Sequence, residues 1–182
     1  GVASFFDFPG TMIAAILAER FGLPGPPLES LFKCEHKYWS RLEQQKVVPD
    51  HVPQFKPFDP GHAQFADLGL VPPFWIKPVK SFRSYLAYRI DDERQFHELS
   101  QVCAEKAPPI VEPFRALMRA HDMPSEITEM DETFIAESPL SGMPMTGASW
   151  STASSTACAR GTVRPSRATN IPPCSRSKCS TG

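Results

Sequence analysis

Apolar runs of strand length alternate with stretches of helical period along this chain. Residues 1–8, GVASFFDF, form a nearly continuous apolar run that predicts a short buried strand. Pro9 falls near the first turn of a following helix, with Ile13, Ile16, Leu17, Arg20 and Phe21 on its expected inward face and Gly22 as its C-terminal stop. GLPGPP at 22–27 reads as a turn-rich connector. A second helix is predicted over SLFKCEHKYWSRLEQQK, capped by Ser30, with Leu31, Tyr38 and Leu42 near one face. Residues 48–73 are proline-rich and read as loop with short extended pieces. Two strands then follow, in PFWIKPV and SFRSYLAYRI, on either side of Lys80. DDERQFHELSQVCAEKA has strong helical period, with Phe96, Leu99, Val102 and Cys103 inward and acids at its first turn. VEPFRALMRAHDM predicts a further helix ended by Pro124, and ETFIAESPLSG a strand leading into a turn. The order implies a mixed α/β (α+β) protein with one small sheet carrying helices.

Composition narrows the classes. With 182 residues, 41% of them hydrophobic and 21% charged, the chain has the length of one ordinary domain or two small lobes, most of it folded. A formal net charge of −1 gives no push toward nucleic acid or an anionic membrane surface. The longest apolar runs, such as MIAAILA, are far shorter than a membrane span, and no export signal is readable at the start. Five cysteines without CxxC spacing argue against a disulfide framework and a zinc site, so a cytoplasmic setting is the expectation.

Charge is not spread evenly. No Asp or Glu follows Glu137, while Arg160, Arg164, Arg167, Arg176 and Lys178 lie beyond residue 142. That tail therefore carries about +5 and the rest, given the total of −1, about −6. Rich in Ser and Thr, with Trp150 as its one aromatic, it lacks any sustained period. Residues 143–182 are accordingly expected to be disordered, or to be the product of a shifted reading frame.

Lys77 raises the question of chemistry. A lysine ending an apolar strand is either a solvated edge residue or a charge held for an anion. His36 reads as a surface or helix-packing residue, Asp91 and Asp92 as the acidic start of a helix, and Trp39 and Trp75 as packing residues.

Four features in order sharpen the reading: CEHKYWSR with Lys37, PFWIKPV with Lys77, the loop KSFRSY, and FIAESPLSG with Glu137. Together they resemble the N-terminal part of an ATP-grasp protein, the family of carboxylate–amine ligases and biotin-carboxylase-like enzymes. That family shows a lysine in a "DK"-like helix, a lysine at the end of a strand reading "ViKP", a small-residue loop, and an "E-x-x-x-x-G" hinge. The resemblance covers roughly residues 1–142. It implies a partial ATP-grasp fold: the end of a preceding lobe at 1–60 and a small nucleotide-binding lobe at 61–142. It further implies that Lys37 and Lys77 clamp the triphosphate of ATP, and that Ser81 and Ser84 offer hydroxyls from the loop. Glu137, Pro139 and Leu140 would form the hinge beside the adenine. Two clamping lysines suit a polyanion, because charge-assisted hydrogen bonds to phosphate are short and strong.

The implied reaction is ATP-dependent activation of an unidentified carboxylate as an acyl phosphate, for transfer to an amine or another nucleophile, with Mg²⁺. The chain departs from the pattern in three places, the first being a short N-terminal lobe, since the family usually begins with an extra strand–helix unit before the equivalent of GVASFFDF. KSFRSY contains no glycine, although glycines let a backbone approach phosphates closely. After the hinge, where the family supplies metal-binding acids, this sequence has Met143-Pro144-Met145 and no acid at all. The Mg²⁺ ligands are thus expected outside this chain, catalytic residues stay unassigned, and catalysis is expected to be incomplete. The alternative is a non-catalytic nucleotide-binding or protein-interaction module with a basic tail.

Overall fold

The computed structural model describes residues 1–140 and four strand segments beyond them. Those four are β5 (Met145–Thr146), β6 (Ser149–Thr152), β7 (Ser155–Cys158) and β8 (Thr162–Val163), which pair antiparallel as β5 with β8 and β6 with β7. The reading-frame and disorder expectation for 143–182 falls mainly on the remaining residues and lies outside those described.

Gly1–Pro139 form one compact α+β unit. In chain order it contains α1 (Gly10–Arg20), α2 (Leu28–Glu35), α3 (Lys37–Val47), β1 (Phe55–Phe58), β2 (Phe74–Pro78) and β3 (Tyr88–Ile90). These are followed by α4 (Glu93–Lys106), α5 (Pro108–Ala120), α6 (Ser125–Thr128) and β4 (Phe134–Glu137). The strands make one antiparallel sheet ordered β1-β4-β2-β3. Among the described residues no helix is long and apolar enough to cross a membrane.

Period-2 alternation sorts the sheet into two faces. Phe58, Phe74, Ile76, Ile90, Phe134 and Ala136 share one face and pack against Phe96 and Cys103 of α4. Phe55, Trp75, Lys77, Ile135 and Glu137 share the other, where Tyr38 of α3 meets Phe55 edge-on. Pro57 is tolerated in β1 because β1 is an edge strand. A second cluster joins Met12 and Ala15 of α1, Phe32 of α2, Trp39 of α3, and Phe114 and Met118 of α5.

The predicted strands at Trp75, Leu86–Ile90 and Ile135 are present, β3 beginning only at Tyr88. The amphipathic helix is α4; Phe96 and Cys103 are fully buried, and Asp92 caps it by accepting from the Gln95 amide at 2.8 Å. Gly22 closes α1 with φ +61, the Leu23 amide reaching back to the Ala18 carbonyl at 2.8 Å.

Other expectations are corrected. Residues 1–8 form no strand, and Phe5 and Phe6 are 96% and 81% exposed. The inward face of α1 is Met12, Ala15 and Ala18, leaving Ile13, Leu17 and Phe21 exposed. This helix is apolar on nearly every side, so periodicity could not choose its face, and small alanines allow the closest approach. The long second helix is two helices broken at His36, whose extended backbone ends α2 and starts α3. Pro27, not Ser30, precedes the first turn of α2. Trp75 is 43% exposed and does not join either core.

Candidate functional site

Lys77 and Glu137 lie on the same sheet face because both occupy odd positions of adjacent strands in register Trp75↔Glu137 and Lys77↔Ile135. They are diagonal neighbours, close enough for a long side chain to bridge. The Lys77 ammonium lies 2.6 Å from Glu137 Oε2. From α3, Arg41 donates through Nε to Oε1 at 2.8 Å and through Nη2 to Oε2 at 3.3 Å. Burial pushes the Glu137 carboxyl up, but hydrogen bonds from Arg41 and Lys77 outweigh it and hold it below its ordinary value.

Lys37 begins α3, one turn before Arg41 on the same helix face. Its ammonium donates to the Ser81 carbonyl at 3.0 Å and to the Ser81 hydroxyl at 3.1 Å. Burial, and then the like charges of Lys77 and Lys80, push its pKa down to about 8. Such a group lacks a full counter-charge, and an anion is what would satisfy it.

His36 holds the start of this helix. Buried against Phe114, its Nδ1 accepts from the Trp39 amide at 3.1 Å, so the ring caps α3 in its neutral form. Burial lowers its pKa to about 4.

Beyond Ser81 the loop turns tightly. Arg83, Ser84 and Leu86 adopt φ of 52, 58 and 53, the left-handed region that favours glycine. The turn is made by residues held at these strained angles and not by glycine. Ser84 is exposed, and Pro139 and Leu140 are exposed as the chain leaves β4. The strand end itself is tied to the start of β1: the Ser138 amide donates to the Gln54 carbonyl at 2.9 Å, and Ser138 Oγ accepts from the Gln54 amide at 3.0 Å.

The structure thus brings Lys37, Lys77, Ser81 and Glu137 together. Sequence reasoning missed Arg41, although the i,i+4 spacing from Lys37 carried the signal. It also missed Lys80, which lies two residues past the end of β2 and is 2% exposed. A cavity of about 440 Å³ lies elsewhere, between α1, the connector at Leu23–Pro27 and His121. Among the described residues no group of three or more His, Cys, Asp or Glu could hold a metal.

No family model matches this chain, and no curated protein matches it. A solved structure, an L-amino acid ligase from Bacillus licheniformis, is similar over 74% of this chain at 23% identity and a TM-score of 0.48. This chain spans 28% of that ligase's length.

Proposed function

We propose that residues 37–138 hold the polyphosphate of a nucleotide, ATP above others, for an ATP-grasp type of carboxylate activation. The observation that supports this is the convergence of Lys37, Lys77 and Arg41 on one sheet face with one carboxylate, Glu137, among them. With Lys80, Glu35 and Asp7 counted as well, four cations face three acids, an excess of positive charge next to a tight loop that suits a polyanion.

Each side chain has a part in binding. Lys77 exchanges Glu137 for a phosphate oxygen, and Arg41 keeps the buried carboxylate paired while it does so. Lys37 turns from the Ser81 carbonyl to a second phosphate oxygen, with the Ser81 and Ser84 hydroxyls free to donate beside it. The chain leaving β4 at Glu137 faces the adenine. In the complete reaction a carboxylate oxygen attacks the γ-phosphorus, the bond to the bridging oxygen breaks and ADP departs. An amine or other nucleophile then displaces phosphate from the acyl phosphate. Mg²⁺ belongs to that family chemistry, in which it neutralises charge on the transferred phosphoryl group.

Calorimetric titration of ATP tests the clamp. Losing a charge-assisted contact costs about 1.5–3 kcal/mol, so Lys77→Ala should weaken binding roughly ten- to a hundredfold. Lys37→Ala should weaken it less, because Lys37 sits on a helix and Lys77 on a fixed strand end. Equal affinity for wild type and both variants would remove the phosphate reading.

A further inference from the structure

Lys80 is buried, yet it points away from the Lys77–Glu137 pair. Its ammonium pairs with Glu35 Oε2 and, at 3.1 Å, with Asp7 Oδ1. It also lies over the rings of Phe8 and Phe114, at 5.5 and 5.6 Å from their centroids. Glu35 is held from its other side by Thr11, whose hydroxyl donates to Oε1 at 2.6 Å. A buried lysine with two acids and two aromatic faces is costly to assemble, and hydrophobic residues would fill the space more cheaply.

The sequence positions explain what the arrangement does. Residues 35–37 and 79–81 are joined by three links. The Lys37 amide donates to the Val79 carbonyl at 2.8 Å, Glu35 pairs with Lys80, and the Lys37 ammonium reaches Ser81. The Val79 amide donates in turn to Thr133 at 2.9 Å, just ahead of β4. Glu35 and Lys80 form the one ion pair among these links. They fix the α2–α3 break against the start of the loop, and with it the root of Lys37.

We propose that Lys80 and Glu35 are positioning residues: their ion pair sets Lys37 over the polyphosphate site, and Thr11 and Asp7 hold the pair in place. This rests on the phosphate reading above and adds which groups, outside the contact shell, decide the placement of one clamp lysine. It predicts an effect opposite in sign to simple electrostatics. Removing the negative charge of Glu35 should strengthen anion binding if only the field matters. If position matters, binding weakens.

The experiment is calorimetric titration of inorganic tripolyphosphate into the full chain as wild type, Glu35→Gln, Thr11→Val and Lys77→Ala, with thermal melts for each. Glu35→Gln should bind about five- to tenfold more weakly than wild type. Thr11→Val, which removes one hydrogen bond and no charge, should bind about two- to threefold more weakly. The Glu35→Gln effect should vanish in a Lys37→Met background, because it acts through Lys37; a general loss of structure would persist there. Unchanged or tighter binding by Glu35→Gln overturns the inference, as does an equal loss with and without Lys37. Should Glu35→Gln not fold, Thr11→Val decides, its wild-type affinity counting against the proposal. Failure of the phosphate reading is seen separately, as tripolyphosphate binding that ignores Lys77→Ala.

Discussion

Glu137 combines two tasks in one side chain, and its amide variant separates them. The carboxylate is 5% exposed and shared by Arg41 and Lys77, so Glu137→Gln leaves two cations without their common partner. Stability should fall by about 2–3 kcal/mol, read by chemical denaturation. Lys77, freed of its competitor, should then bind tripolyphosphate several-fold more tightly. The acid side follows the same logic. Because the folded pKa of Glu137 is depressed, its contribution is complete above the ordinary carboxylate value near 4.5 and is lost as pH falls through the lower folded value. Lys37 gives the alkaline counterpart. Its charge is lost as pH rises through about 8, so polyphosphate affinity should decline above that pH, with proton uptake on binding. Lys37→Arg stays charged throughout and should flatten the profile between pH 8 and 10, measured by titration in buffers of different ionisation enthalpy.

At the scale of the element, α3 and the loop after β2 each depend on an unusual residue. His36 caps α3 only while neutral. Its folded pKa, about 4, lies below the ordinary 6.5, so protonation favours the unfolded chain. The stability it lends is complete above pH 6.5 and is lost as pH falls from there to about 4, on the order of 3 kcal/mol. His36→Asn keeps a capping oxygen and has no such titration, so its thermal midpoint should fall less steeply across that window. In the loop, Arg83 is exposed at φ 52, where an L side chain costs roughly 1–2 kcal/mol and glycine nothing. Arg83→Gly should therefore raise stability by about 0.5–1 kcal/mol after the added freedom of the unfolded chain is subtracted, visible as a higher melting temperature.

Across the whole unit, two hydrophobic clusters flank the charged site. Tyr38 packs against both, and the links between 35–37 and 79–81 join them again. Phe114 is central to the helical cluster, with Phe8 and Phe32 edge-on at 5.3 and 5.5 Å; Phe96 has the same place beneath the sheet. Phe114→Ala and Phe96→Ala should each cost about 3–5 kcal/mol. Since the clusters share these connections, each variant should still unfold in one step, with near- and far-ultraviolet dichroism changing together.

The sequence by itself determined the elements whose periodicity is strong and whose neighbours are near. The α4 helix, the strands at Trp75 and Ile135 and the glycine stop at Gly22 were all legible, because these are local or depend on a simple alternation. The break at His36 was not, since a helical period continues through it and only the buried ring against Phe114 shows why the chain turns there. Nor could the face of α1 be chosen where almost every side is apolar. Register decided the rest: pairing Trp75 with Glu137 sets Lys77 and Glu137 diagonally opposed, where Arg41 of α3 reaches the same carboxylate. The Lys80 pair joins residues 45 and 73 positions apart, and separations of that size leave no periodic trace in a chain.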